Sequence, residues 1–205
     1  HNITVAGGGV LGSQIAFQAA YTGFHVKIWL RSQASIGRCQ PKLDRLYKIY
    51  LGILEEMKHN PAAYARGLSK KQNLSEAEIE ELKERVEKAY RSIELTTSYE
   101  EAAKDADLVI EAIAENIEEK EAFYTELAKH LPERTVIATN SSTLLPSSFA
   151  QFTGRPDKFL ALHFANNIYR SNTAEVMGHA GTKQVYYDQV VEFAEQINMI
   201  PLKVL

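Results

Sequence analysis

Three side chains suited to proton transfer lie along the last third of the chain: Ser142 in TNSSTLL, His163 in LALHFANN and Glu175 in TAEVM. A hydroxyl, an imidazole and a carboxylate can together move protons near neutral pH, because an unperturbed imidazole titrates there. Singly, each has a plainer explanation: Ser142 can cap a helix, His163 can be a satisfied core histidine, and Glu175 can be a surface charge. Their placement argues for reading them together. Ser142 follows an apolar strand-like run at 135–139, and His163 closes the next such run, at 159–163. Ligands of open α/β sheets bind at that carboxyl edge. A serine hydrolase uses the same three residue types, but residues 140–144 read NSSTL, not a G-x-S-x-G elbow.

The amino end supplies a second motif, one for which a hydrolase has no use. VAGGGVLGSQIA sets Gly7, Gly9 and Gly12 in G-x-G-x-x-G register between a strand and a helix. Gly7 permits the tight turn, Gly9 lets a diphosphate approach the backbone, and Gly12 lets helix and strand pack closely. Val10 and Leu11 complete the turn beside the cofactor, and helical character follows over 13–22; the free N–H groups and dipole of that helix favour phosphate. A methyltransferase is the competing use of such a turn, but its glycine spacing usually differs. Redox chemistry accounts for both motifs: an imidazole takes the proton of a substrate hydroxyl while hydride passes to a nicotinamide. At the end of the second strand, where an acid usually grips the adenosine ribose, the chain has Leu30, Arg31 and Ser32. Losing the acid removes a repulsion against a 2′-phosphate, and Arg31 and Ser32 add a cation and a hydroxyl. The expected cofactor is therefore NAD(P), leaning to NADP. A solvated Arg31 beside NAD is the alternative.

These residues need a frame that brings them to one edge. Apolar runs at 3–6, 26–30, 93–96, 108–112, 135–139, 159–163 and 175–177 read as strands, and 201–205 begins another. Helical stretches alternate with them. This predicts an α/β fold: a Rossmann-like, doubly wound, mostly parallel sheet. Leu43, Leu46, Tyr50, Ile53, Leu54 and Met57 recur at steps of three and four. With Ile79, Leu82, Val86 and Ala89 they predict an inserted helical hairpin at about residues 38–92. Ser75 with Glu78 is a capping-box pattern.

The 205 residues suit one such domain. A net charge of −3 argues against a nucleic-acid partner, and no apolar run is long enough for a membrane helix. The single cysteine, Cys39, and the lack of a basic-then-apolar leader point to a cytoplasmic protein without a disulfide. No metal is expected.

With these stretches, and with DLVIEAIAENIEEK and TNSSTLLPSS, the chain resembles the L-3-hydroxyacyl-CoA dehydrogenases, including their 3-hydroxybutyryl-CoA members. It is also similar to the λ-crystallin and gulonate dehydrogenase branch. The resemblance covers essentially the whole chain, as that family's N-terminal domain. It implies His163 as catalytic acid/base, Glu175 as the residue that holds its ring, and Ser142 as a hydrogen-bond donor to the reacting oxygen. It places Glu115 and Lys120 at the nicotinamide half of the cofactor, with Asn140 beside them. Lys42 and Lys48 of the hairpin would meet the phosphates of an acyl-CoA. Three departures stand out: Leu30 replaces the family's acid, Asn166-Asn167 replaces its Asn-Pro, and the family's all-helical C-terminal domain, the source of its dimer contact, is expected to be absent. The implied activity interconverts 3-hydroxyacyl-CoA and 3-oxoacyl-CoA in fatty acid metabolism, the intact protein being a dimer. The alternatives are a dehydrogenase of a free hydroxy acid, of the λ-crystallin/gulonate or carnitine type, and a catalytically silent nucleotide-binding protein.

Overall fold

A computed structural model describes residues 1–114, 116–141 and 146–204. Eight strands form one sheet: β1 (Asn2–Ala6), β2 (His25–Trp29), β3 (Glu94–Thr96), β4 (Leu108–Glu111), β5 (Val136–Thr139), β6 (Phe159–Phe164), β7 (Thr173–Met177) and β8 (Ile200–Val204). Their spatial order is β3-β2-β1-β4-β5-β6-β7-β8. The first six are mutually parallel, β7 runs antiparallel to β6, and β8 runs parallel to β7. β1 pairs with both β2 and β4, so the order reverses there and a crevice opens outside the carboxyl ends of these strands.

Both faces of the sheet are covered, which is why β4 and β5 are buried along their whole length. Ile3, Val5, Leu108, Ile110, Leu160 and Leu162 point into a core shared with α1 (Val10–Tyr21), α2 (Gln33–Met57), α3 (Glu76–Ser92) and α6 (Gln184–Gln196). Val109, Ile137 and Phe159 point the other way, against α4 (Tyr99–Ala103) and α5 (Ile117–Ala128). By the same alternation His163 lies on the α5 side of β6.

The helical pair forms as its stripes require, with a correction at its start. α2 begins at Gln33 rather than near 38, capped by the Ser32 hydroxyl, which accepts from Ser35 N at 3.1 Å. It runs straight through Pro41. The carbonyl that loses its donor there belongs to the exposed Gly37, where water can replace the missing N–H. α3 begins with a complete capping box, Ser75 and Glu78 each bonding the other's backbone. Tyr90 hydrogen-bonds Asp44, Lys83 pairs with Glu55, and Lys58 with Glu80, so the two helices run antiparallel. The buried Gln18 amide of α1 donates to the carbonyls of Gly67 and Ile197, rooting the intervening loop in the core. Among the described residues no helix is long and apolar enough to cross a membrane.

Candidate active site

At the switch point, β1 passes through Gly7–Gly9 directly into α1. The helix therefore starts at Val10, earlier than Ser13, where helical character first shows in the sequence. Each glycine has its own constraint. Gly7 sits at φ +112°, and a Cβ on it would meet the Ala112 carbonyl oxygen at 2.5 Å. A Cβ on Gly12 would lie 2.2 Å from the Gly7 oxygen. Around Gly9 there is nothing within 4 Å, which is the room a diphosphate needs. No side chain caps α1, so its first N–H groups face that space. Ser13 Oγ donates toward the Gly8 and Gly9 carbonyls, 3.1 and 2.7 Å away, and fixes the turn from behind.

The turn floors a cleft of about 520 Å³. Gly7, Gly9, Val10, Leu11, Gly12, Leu30, Arg31 and Asn140 line it, as the sequence predicts for a cofactor site. A dinucleotide fits these features: an open approach at Gly9, an uncapped helix end, and a crevice running from the end of β2 to the end of β5. Ser32, in contrast, is not in the lining; its hydroxyl serves the α2 cap. Lys120 is not in the lining either. It is 1% exposed, and its ammonium lies 2.8 Å from Glu111 Oε2. Glu115 and Ser142 lie outside the described residues.

The cleft also contains residues that sequence reasoning did not assign to it: Ser35, Arg38, Asn116, Glu119 and Ser141. Ser35 and Arg38 belong to the first turns of α2, so recognising that the helix starts at Gln33 was the signal needed. Lys42 points into this cleft too, its Nζ 3.3 Å from the Gly8 oxygen, rather than along the hairpin. Arg31 Nη1 lies 3.2 Å from Glu119 Oε1, an exposed ion pair across the mouth. Arg38 donates to Ser35 Oγ at 2.8 Å. Trp29 lines the cleft at the end of β2, its indole N–H bonded to the Thr97 carbonyl.

Outside the lining of this cleft, on the strand end that Asn140 ties to it, the structure brings His163 and Glu175 together. They are directly opposed residues on antiparallel β6 and β7, with His163 Nδ1 3.6 Å from Glu175 Oε2. At that distance the attraction is Coulombic rather than a formed hydrogen bond. Both groups keep contact with solvent, at 37% and 54% side-chain exposure, so a proton can come and go. His163 lies two residues past Ala161, which pairs with Thr139 on β5. Asn140 ties the two strand ends together, its Oδ1 accepting from Phe164 N at 3.0 Å. Beyond His163, Gln14 of α1 holds the next loop: Nε2 donates to Asn166 Oδ1 at 3.0 Å, and Oε1 accepts from Asn167 N at 2.8 Å. Among the described residues no group of three or more His, Cys, Asp or Glu is placed to hold a metal.

Residues 2–205 match the family model of the 3-hydroxyacyl-CoA dehydrogenase, NAD binding domain. The chain is 30% identical over 201 residues to the mitochondrial hydroxyacyl-coenzyme A dehydrogenase of Rattus norvegicus. It is 31% identical over 202 residues to the 3-hydroxybutyryl-CoA dehydrogenase of Clostridioides difficile. Each alignment takes in 98% of this chain but only 58% and 63% of the respective relative, so the chain spans less than two thirds of either protein. A solved structure of a diketoreductase, described as acting on dicarbonyl compounds, matches with a TM-score of 0.82 at 41% identity, over 99% of this chain and 63% of that one. With the match running over the glycine turn, the cleft and the His163–Glu175 pair alike, the chain belongs to the 3-hydroxyacyl-CoA dehydrogenase NAD-binding domain family.

Proposed function

We propose that this chain is the dinucleotide-binding part of an oxidoreductase that interconverts a 3-hydroxyacyl-CoA and a 3-oxoacyl-CoA. The observation that carries the reading is the opposed His163–Glu175 pair at the carboxyl edge of the sheet, on the strand end tied by Asn140 to the glycine-turn cleft. A bound nicotinamide dinucleotide supplies the hydride acceptor or donor. The glycine turn and the α1 N-terminus hold its diphosphate. With Nδ1 turned to Glu175, His163 has Nε2 free to take the proton of the substrate hydroxyl, or to return it in the reverse direction. Glu175 favours the imidazolium that forms and keeps the ring in this orientation. Ser142, at the start of the loop after β5, is assigned to the reacting oxygen. Asn140 ties the ends of β5 and β6 together, so it would keep His163 in place relative to the cleft that would hold the nucleotide.

For the cofactor, the reading includes NADP(H) on at least equal terms with NAD(H). Leu30 is buried where an acid would repel a 2′-phosphate, and Arg31 and Arg38 stand at the cleft mouth. Arg31 is paired with Glu119, so a phosphate must compete with that carboxylate.

A second reading, a reductase of free dicarbonyl or hydroxy-acid substrates, is favoured by two observations. Identity to the diketoreductase structure is 41%, against 30–31% for the acyl-CoA dehydrogenases. The loop after His163 is also polar, with Asn166 and Asn167 both exposed. A substrate panel separates the two. The full-length protein is assayed with 3-oxobutyryl-CoA, free 3-oxo acids and 1,3-diketones, each with NADH and NADPH, following loss of reduced nicotinamide. Turnover on the thioester supports the first reading, and turnover only on free dicarbonyls supports the second. Turnover on none of them, with nucleotide bound, would leave a silent nucleotide-binding protein.

A further inference from the structure

Beneath the cleft floor lies a buried carboxylate that neither the sequence pattern nor the proposed chemistry uses. Glu111 ends β4, is 0% exposed, and has both oxygens fully engaged. Oε2 accepts from Ile113 N at 2.7 Å and from Lys120 Nζ at 2.8 Å. Oε1 accepts from Tyr124 Oη and Thr139 Oγ1, each at 2.7 Å. Thr139 Oγ1 in turn accepts from Ser141 N at 3.2 Å. One carboxylate therefore fixes three separate pieces: the loop through Ile113, the α5 face carrying Lys120, and the turn through Ser141. Ile113 and Ser141 line the cleft, on the side away from β2.

We infer that Glu111 is a positioning residue for the nicotinamide end of the cleft. The inference rests on the dinucleotide reading above. A buried ion pair is no efficient way to gain stability, since an apolar pair of similar volume generally does as well. What it provides is directional: four donors meet at one point, so the backbone at 112–113 and 139–141 cannot shift separately. The adenine end is built from the glycine turn and the end of β2; among the described residues the Glu111 carboxylate bonds neither, and only its backbone reaches the turn, through the pairing with Ala6. Positioning therefore predicts a selective effect on the nicotinamide half, whereas a purely structural role predicts none.

The test compares two probes on the full-length protein: NADH, and ADP-ribose, which lacks the nicotinamide. Affinities are read from Trp29 fluorescence at temperatures well below the melting point of each variant. Glu111→Gln keeps the shape but removes the charge that balances Lys120. It is expected to weaken NADH about tenfold or more, as for a lost charge-assisted hydrogen bond, and to leave ADP-ribose within about threefold. Equal losses for both probes, or none for either, would overturn the inference. If that variant does not fold, Thr139→Val keeps the Glu111–Lys120 pair but removes the hydroxyl that bonds Glu111 and, through it, the link to Ser141. The same selective loss is then expected, and an unchanged ratio of the two affinities would overturn it. Wild-type protein that binds neither probe would instead remove the dinucleotide reading itself.

Discussion

At the residue scale, the pairing of His163 with Glu175 was legible because the two come from strands that can be counted. His163 closes a strand-like run, and Glu175 falls at a distance that allows a return strand; the structure makes them directly opposed neighbours. Glu111 was not legible. A lone acid at the end of DLVIE reads as a surface charge, Tyr124 reads as an ordinary member of a helix, and Lys120 is expected at the cofactor rather than against Glu111. The usable signal was their spacing of four, which puts both on the face of α5 turned to the sheet. Cofactor choice is also decided by single residues. Replacing Arg31 and Arg38 together by Ala is expected to raise the Kd for NADPH about tenfold, while NADH shifts less than about threefold, since only the 2′-phosphate loses a charged partner. Parallel titrations of Trp29 fluorescence check this, and an equal loss for both nucleotides would mean that the two arginines do not read the phosphate.

At the element scale, the glycine turn allows fold and function to be separated by one methyl group. Gly9 has ordinary extended dihedrals, φ −69° and ψ −170°, and open space where a Cβ would go. Gly9→Ala should therefore fold with a melting temperature close to wild type, yet bind NADH more than about tenfold more weakly, because the methyl occupies the diphosphate's approach. Gly12→Ala should behave differently. Its Cβ would be 2.2 Å from a backbone oxygen, so stability itself should fall, by roughly 1–3 kcal/mol as for other overpacked sites. Thermal melts with and without NADH distinguish the two, and a matching stability loss in Gly9→Ala would contradict the geometry. The Ser75–Glu78 capping box and the apolar stripe made α3 readable. The start of α2 was harder, because Pro41 looks like a helix limit. It is tolerated there because its unpaired partner carbonyl, on Gly37, is exposed.

For the molecule as a whole, alternation of strand and helix was enough to give a doubly wound parallel sheet, since that pattern admits few other topologies. The direction of the last two strands was not deducible. What accompanies the reversal of β7 against β6 is the brief loop 165–172, held by Gln14. At the opposite, amino edge of the sheet, Asp107 holds chain segments together. Burial opposes its charge, but the Asn2 N–H at 2.7 Å and Arg134 at 3.0 Å outweigh that and hold the carboxyl below its ordinary range. A depressed folded value means that the stabilisation is present above the unfolded value, about 3.9, and is lost as pH falls through the folded value. Asp107→Asn should therefore lower the melting temperature at neutral pH, and the gap to wild type should close below about pH 4. A gap that stays constant down to acid pH would show that the pair contributes through packing rather than charge.

The account turns on His163 being the proton carrier of a site whose nucleotide is held elsewhere. The most direct measurement is made on full-length His163→Gln: turnover on the substrate found in the panel, alongside NADH affinity from Trp29 fluorescence. The pairing with Glu175, and the absence of both residues from the lining of the glycine-turn cleft, predict a split result. NADH affinity should stay within about twofold, while turnover falls by a factor of roughly 10²–10⁴, the usual contribution of a general acid–base. Turnover equal to wild type would contradict the assignment, and loss of nucleotide binding in step with turnover would show that His163 supports the cleft rather than the chemistry.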